Sequence, residues 1–100
     1  MQFTDQDISG VRNAIEGIGP ENTYALAMQL RDGVIQIQVL KREDSYIHPI
    51  ALKGHPYYSK DWNQVNEFLE RTFVELPSHV MRASTWAGFS YSQLLPNIQA

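Results

Sequence analysis

The chain has 100 residues, of which 43% are hydrophobic and 19% charged, with a net charge of −3 and no cysteine. This composition is typical of one globular domain rather than a disordered chain. The absence of cysteine excludes disulfides, thiolate zinc sites and cysteine nucleophiles, and the mild negative charge without a basic stripe argues against a nucleic-acid partner. We predict one small α+β domain over residues 1–100, with residues 78–100 as a candidate separate packing or partner-binding segment.

The sequence shows no pattern typical of an export signal or of a transmembrane helix. Residues 1–5 contain neither the basic stretch nor the apolar stretch of a signal peptide. Moreover, no apolar run approaches the roughly 18–20 residues that a transmembrane helix needs. We therefore expect a cytoplasmic protein with no membrane partner.

The first predicted element is a helix over residues 5–18. Thr4 is a typical N-cap, and the acidic residues of the first turn complement the positive end of the helix. Apolar side chains recur at helical spacing at Ile8, Val11, Ile15 and Ile18. This stripe is narrow, so the helix is expected to depend on packing against another element.

Residues 24–40 predict a β-hairpin. Asp32-Gly33 separates two alternating apolar runs, and this dipeptide is a strong signal for a two-residue type I′ turn. Such a turn sets Leu30 opposite Ile35. The predicted register places six apolar side chains on one face, namely Leu26, Met28, Leu30, Ile35, Ile37 and Val39.

A third extended run covers residues 46–52, after a predicted four-residue loop at 42–45. Hydrogen-bond parity then sets Lys41 opposite Tyr46. Pro49 is tolerated only at a sheet edge, because proline has no N–H to donate. The prediction is a three-stranded antiparallel meander of order 1-2-3, with the first and third strands as edges.

The second half of the chain predicts a loop at 53–60 and then a helix at 62–76. Glycine and X-Pro residues disfavour regular structure in the loop. Asp61 is the expected N-cap, with Gln64 as its capping-box partner. Pro77 is expected to stop the helix, and residues 79–83 fit either a helical turn or a short strand.

These elements predict a two-layer α+β sandwich of order α-β-β-β-α, with both helices on one face of the sheet. The second face is then expected to carry small and amide side chains, including Ala25, Ala27, Gln36, Gln38 and Leu40. Antiparallel sheets can leave one face in water. Two other expectations stay open: residues 86–95 fold back over this face, or it binds a second copy or another protein.

Candidate chemistry is concentrated in residues 48–61. His48, His55 and Asp61 could hold a metal ion if they converged, but the sequence lacks the close histidine spacings of most metal sites. We therefore predict no metal and no cofactor. His55 and Tyr57 carry competent acid–base groups, yet no nucleophile motif or paired carboxylate accompanies them. A phosphate-binding surface would be interrupted by acidic residues.

We predict a small non-enzymatic protein–protein interaction module of the adaptor, inhibitor or immunity type, with an unidentified protein partner or a second copy of itself. Tyr, Trp, Met and Arg are enriched at interfaces. The candidate surface comprises His55, Tyr57, Tyr58, Lys60, Gln36, Gln38, Leu40, Met81, Arg82, Trp86, Phe89 and Tyr91. The alternative is a small-molecule-binding protein or a small enzyme that uses the His48–Asp61 region.

Overall fold

The computed structural model describes residues 3–83, beginning with helix α1, Asp5–Ile18, which has the predicted bounds. A reciprocal capping box starts the helix. Thr4 Oγ1 accepts from the Asp7 N–H, and the Asp7 carboxylate accepts from the Thr4 N–H, both at 3.1 Å. These bonds satisfy amides that a helix start otherwise leaves unpaired. The buried side chains are Ile8, Val11 and Ile15, as their spacing predicts.

Helix α2, Trp62–Thr72, begins at the predicted N-cap but ends earlier than predicted. Asp61 Oδ1 accepts from the Asn63 N–H at 2.9 Å. The predicted capping box is wrong, because Ser59 takes its place. The Ser59 hydroxyl accepts from the Asp61 N–H at 3.1 Å and donates to Gln64 Oε1 at 3.0 Å. The turn that precedes α2 is thereby tied to the first turn of the helix.

Within residues 3–83, five strands form one mixed sheet, and the predicted antiparallel meander in it is confirmed. In chain order they are β1, Thr23–Gln29; β2, Ile35–Glu43; β3, Tyr46–Pro49; β4, Tyr57–Ser59; and β5, Val80–Ala83. The order across the sheet is β3-β2-β1-β5, and β4 pairs with β2 beyond the end of β3. The predicted α+β sandwich class is also confirmed.

The prediction that the first strand is an edge is wrong. β5 pairs with β1 in parallel, with Ala25 opposite Val80 and Met28 opposite Ala83. A parallel pair needs a long crossover connection, and here α2 lies in the connection. The sequence of residues 79–83 fits either a helical turn or a short strand, and the structure shows a strand at residues 80–83.

The register of β1 against β2 differs from the prediction by one residue. Ala27 lies opposite Ile37, and Leu30 pairs with Val34, whose carbonyl accepts from the Leu30 N–H at 2.7 Å. The loop therefore holds three residues, with only Gly33 at positive φ (87°). A type I′ turn would also need positive φ at Asp32. Instead, Asp32 Oδ1 accepts from the Val34 N–H at 3.0 Å, which favours the longer turn.

The one-residue difference inverts the faces of β1. Ala25 and Ala27 lie beneath the helices, and the prediction that Leu26 and Met28 face the helices is wrong. The helix-covered core also contains Ile35, Ile37, Val39, Ile50, Val65, Phe68 and Leu69. Alanine under the helices lets them approach the sheet closely, whereas Tyr24 and Leu26 point to the second face.

The connection between β2 and β3 is shorter than predicted. Glu43 lies opposite Tyr46, so only Asp44 and Ser45 form the turn, and Asp44 adopts φ 57°. Aspartate tolerates this left-handed conformation better than most residues. The pairing with β2 shifts by two residues relative to the prediction. An even shift preserves the faces, so Ile50 still packs on the helix side.

The hairpin turn makes a testable prediction about its glycine. Replacing Gly33 with alanine should destabilise the protein by about 1 kcal/mol, because an L-residue is strained at this φ. Nothing lies within 4 Å of the added Cβ, so the cost is conformational. Gly17→Ala in α1 is the matched control, since its Cβ also enters open space. This change should stabilise the protein by up to about 1 kcal/mol.

Urea unfolding at constant pH measures both effects. A Gly33→Ala protein with the stability of the parent would contradict the three-residue turn.

Candidate functional site

The candidate residues between 50 and 60 lie along the free side of β2, where the outer strand is interrupted. β3 pairs with β2 only as far as Leu40, and β4 resumes the pairing at Ile37. Residues 50–56 leave the sheet between the two strands. The prediction of a loop over 53–60 is therefore wrong for its second half, where Tyr57–Ser59 form β4.

His55 fills the interruption with its side chain. The Ile50 N–H donates to the Val39 carbonyl at 3.1 Å, and the Val39 N–H donates to His55 Nε2 at 2.6 Å. Val39 is fully buried, so its amide would otherwise lack a partner. A buried amide without an acceptor costs about 1–3 kcal/mol. The imidazole therefore substitutes for a backbone carbonyl of the missing strand residue.

Burial shifts the pKa of both His55 and Tyr57. It lowers the pKa of His55, and a hydrogen bond with the backbone of Ile50 opposes that shift. Because Nε2 accepts from an amide, the neutral ring carries its proton on Nδ1. Burial also raises the pKa of the Tyr57 phenol, and the charge of Asp7 adds to the effect. Both groups are therefore neutral near pH 7.

Tyr57 belongs to the core rather than to an exposed surface. Its ring packs edge-on to His55 with centroids 5.6 Å apart, and lies 5.3 Å from the Phe68 ring. Phe3 completes the aromatic group from the start of the chain. Removing the Tyr57 ring would therefore disturb packing between α2 and the sheet.

Tyr58 points to the opposite face and stays 47% exposed. It lies opposite Gln36, whose Nε2 donates to the Tyr58 hydroxyl at 3.1 Å. Lys60 follows in the exposed turn before α2. Gln36 and Tyr58 are thus two predicted surface residues that the structure brings into contact, and Lys60 is exposed two residues further along the chain.

The second face of the sheet is more apolar than predicted. Tyr24, Leu26 and Leu40 form a small buried cluster there, and Met28, Ile47 and Met81 pack against it. Gln38 lies opposite Leu26. Leu40 and Met81 were predicted as surface residues, but Leu40 is fully buried. Tyr24 and Leu26 were missed, because the predicted turn assigned the wrong parity to β1.

Tyr24 is also anchored at both of its ends. Its hydroxyl donates to the Glu21 carbonyl at 2.8 Å, and the His79 ring stacks on it at 4.4 Å. His79 Nδ1 lies 2.9 Å from the Thr23 carbonyl. These contacts hold the short turn before β5 against the start of β1.

Arg82 lies on the helix side of β5. Its Nε donates to Asn66 Oδ1 at 2.7 Å, which joins the sheet edge to α2. Arg82 also lines a cleft of about 310 Å³ between these elements, together with Glu70, Phe73 and Val80. A second cleft, of about 500 Å³, lies between α1 and the turn after α2. Neither cleft contains Tyr58 or the other predicted residues of β4.

The metal hypothesis finds no support in the geometry of the described chain. Between residues 3 and 83, no three His, Asp or Glu side chains converge as a metal site would need. His48 Nε2 lies 3.4 Å from a Glu43 carboxylate oxygen, and Asp61 is committed to capping α2. Trp86, Phe89 and Tyr91, the remaining predicted surface residues, lie outside the described range.

Two further observations bear on the class of protein. In the part of the chain that the structure describes, neither helix has the length and apolar character needed to cross a membrane. Comparisons with protein-family models, curated proteins and solved structures returned no match. The geometry alone therefore bears on function.

The hydrogen bond from the Val39 amide to the His55 imidazole predicts how the stability of the protein depends on pH. Because the pKa of His55 is lower in the folded chain, protons bind preferentially to the unfolded chain below about pH 6.5. The contribution of His55 is thus complete above that pH and is lost as the pH falls towards the folded-state pKa. Replacing His55 with glutamine keeps an acceptor but removes the titration, so the loss of stability between pH 7 and 5 should become smaller.

Denaturant unfolding at several pH values measures this effect. His55→Ala is the matched control, because it removes both the acceptor and the titration. At pH 7 it should cost about 1–3 kcal/mol, from the unpaired Val39 amide. If the stability of the His55→Gln protein depended on pH as strongly as that of the parent, the proposed role of the His55 imidazole would be contradicted.

Proposed function

We propose that this protein is a small non-enzymatic protein–protein interaction module of the adaptor, inhibitor or immunity type, with its partner surface centred on Tyr58. The observation that carries the proposal is the combination of exposure and restraint at this tyrosine. Its ring is 47% exposed on a strand that is otherwise buried, and its hydroxyl is held by Gln36. Tyrosine is among the residues that contribute most to binding at interfaces.

A restrained side chain suits this role because binding then costs less conformational entropy. Tyr57 and Ser59, on either side of Tyr58, are buried and fix the strand that carries it. The amide of Gln36 supplies a polar group at the hydroxyl end of the ring, and the exposed Lys60 follows two residues later in the chain. An aromatic centre with a polar rim is the usual composition of a protein interface.

A small enzyme or small-molecule-binding protein that uses the His48–Asp61 region has less support. The groups that such a site would use have structural partners. His55 accepts from the Val39 amide, Tyr57 packs in the core, and Asp61 caps α2.

Replacing Tyr58 with alanine tests the proposed surface. If the partner packs on this ring, its affinity should fall by roughly thirtyfold, since an interface hot spot contributes about 2 kcal/mol or more. Tagged protein would first capture the partner from the native host. Titration of the purified pair would then measure the affinity.

Val74→Ala is the matched control, because Val74 is also an exposed apolar residue, at 61%, but lies beside the clefts rather than on β4. The control should bind as the parent does. Equal affinities of the Tyr58→Ala and parent proteins would contradict the proposal. If the partner is a second copy, sedimentation should show a dimer that Tyr58→Ala converts to a monomer.

A further inference from the structure

We infer that His55 is a pH-sensitive switch, whose protonation detaches residues 50–59 from β2 while β1 and β2 stay paired. The switch is the hydrogen bond in which the Val39 N–H donates to His55 Nε2 at 2.6 Å. Tyr58 lies within the segment that detaches, so its surface is fixed in place only while the His55 ring is neutral. The consequence for binding rests on the proposed function, whereas the detachment itself does not.

The contact between His55 and Val39 requires a neutral imidazole. A ring nitrogen without a proton accepts a hydrogen bond, whereas both nitrogens of the protonated ring are donors. Protonation would therefore direct an N–H of His55 at the N–H of Val39, and these two groups cannot bond to each other. The positive charge is also better solvated in water than in a partly buried site. A bound proton thus favours the state in which the ring has left β2.

The other two histidines of the sequence have contacts that protonation does not remove. His48 Nε2 lies 3.4 Å from a Glu43 carboxylate oxygen, so a proton on this ring would add an attraction between opposite charges. His79 Nδ1 lies 2.9 Å from the Thr23 carbonyl, to which a protonated ring still donates. His55 is therefore the histidine whose contact is lost when the pH falls.

The ring of His55 is faced by one titratable side chain on β4 and, beyond it, by one on α1. The Tyr57 ring lies edge-on to it with centroids 5.6 Å apart, and the charge of Asp7 acts on Tyr57. β2 and the turn after β3 present backbone groups, those of Val39 and Ile50. Burial lowers the pKa of His55, so the switch responds below about pH 6.5. Burial raises the pKa of Tyr57, which stays neutral there.

The segment that carries His55 is joined to β2 by a short pairing. β4 pairs with β2 over three residues, and the bond from the Ile50 N–H to the Val39 carbonyl holds the other end. By contrast, β1 pairs with β2 over seven residues. Short pairings open locally at a lower free energy than the whole domain. Because the Tyr57 ring packs in the core, the detached state is a minor one at neutral pH, and its population grows as the pH falls.

Hydrogen exchange of the full-length chain, followed by NMR at pH 7 and pH 5, tests the inference. Protection factors correct each amide for the intrinsic pH dependence of exchange. The Tyr57 amide reports on β4, because Tyr57 lies opposite Ile37 on the side of β2 where the odd residues bond. The Leu26 amide reports on the pairing of β1 with β2, where Leu26 lies opposite Gln38.

Protection of the Tyr57 and Val39 amides should fall severalfold more than that of Leu26 when the pH is lowered, because proton binding favours the local opening. Equal falls at all three amides would show that acid promotes only global unfolding, and would overturn the inference. The ring nitrogens of His55 give a second readout in the parent chain. Their ¹⁵N shifts should report protonation with the same midpoint as the loss of Tyr57 protection, and a different midpoint would also overturn the inference.

His55→Gln keeps an acceptor for the Val39 amide but does not titrate, so Tyr57 protection in this variant should follow that of Leu26. His48→Gln is the matched control, because it removes a histidine beside β2 and leaves the Val39 contact in place. The control should behave as the parent does. A His55→Gln protein in which Tyr57 protection still falls ahead of Leu26 would refute the switch.

The exchange measurements use the isolated chain, so they decide the switch whatever the outcome for the partner surface. If the partner binds at Tyr58, its affinity for the parent should fall severalfold between pH 7 and pH 5, and its affinity for His55→Gln should fall less. Equal falls in affinity, combined with the expected exchange result, would count against the surface at Tyr58 and leave the switch supported.

Discussion

The turn between β1 and β2 fixes the register on which the two faces of the sheet depend. Asp32 accepts from the amide two residues ahead, and Gly33 alone takes a positive φ. The resulting three-residue loop places alanines under the helices and Leu26 on the second face. A shift by one residue would exchange these sets. It would drive large side chains into the layer between helices and sheet and leave the second face without its apolar centre.

The other side of β2 is completed by two strands and one side chain. β3 pairs with one end, β4 with the other, and the imidazole of His55 accepts from Val39 in between. Because the Val39 amide is paired with the imidazole, residues 50–56 can leave the sheet without leaving this buried amide unpaired. It also fixes the start of β4, and so the direction in which Tyr58 projects. The same histidine therefore links the stability of the sheet to the placement of the proposed partner surface.

The sequence predicts the features that depend on neighbouring residues and misses those that depend on distant ones. The Thr4 cap and the apolar spacing define α1. The predicted faces of β2 and β3 are correct because the predicted register between these strands differs from the observed one by two residues, and an even shift leaves each side chain on its face. Asp32-Gly33 signals a hairpin but does not separate a two-residue turn from a three-residue one. β4 and β5 are short strands whose pairing is non-local. His55 was a candidate by composition, yet its role as an acceptor depends on Val39, sixteen residues away.

Cross-strand contacts between α-protons test the register of β1 and β2 most directly. The Leu30–Val34 bond makes Ala27 and Ile37 a non-hydrogen-bonded pair, in which the two Cα atoms approach to about 4.5 Å. Nuclear Overhauser spectra of the full-length chain should therefore connect the Ala27 and Ile37 α-protons. A contact between the α-protons of Met28 and Ile37 instead would show the two-residue turn and contradict the assignment of both faces.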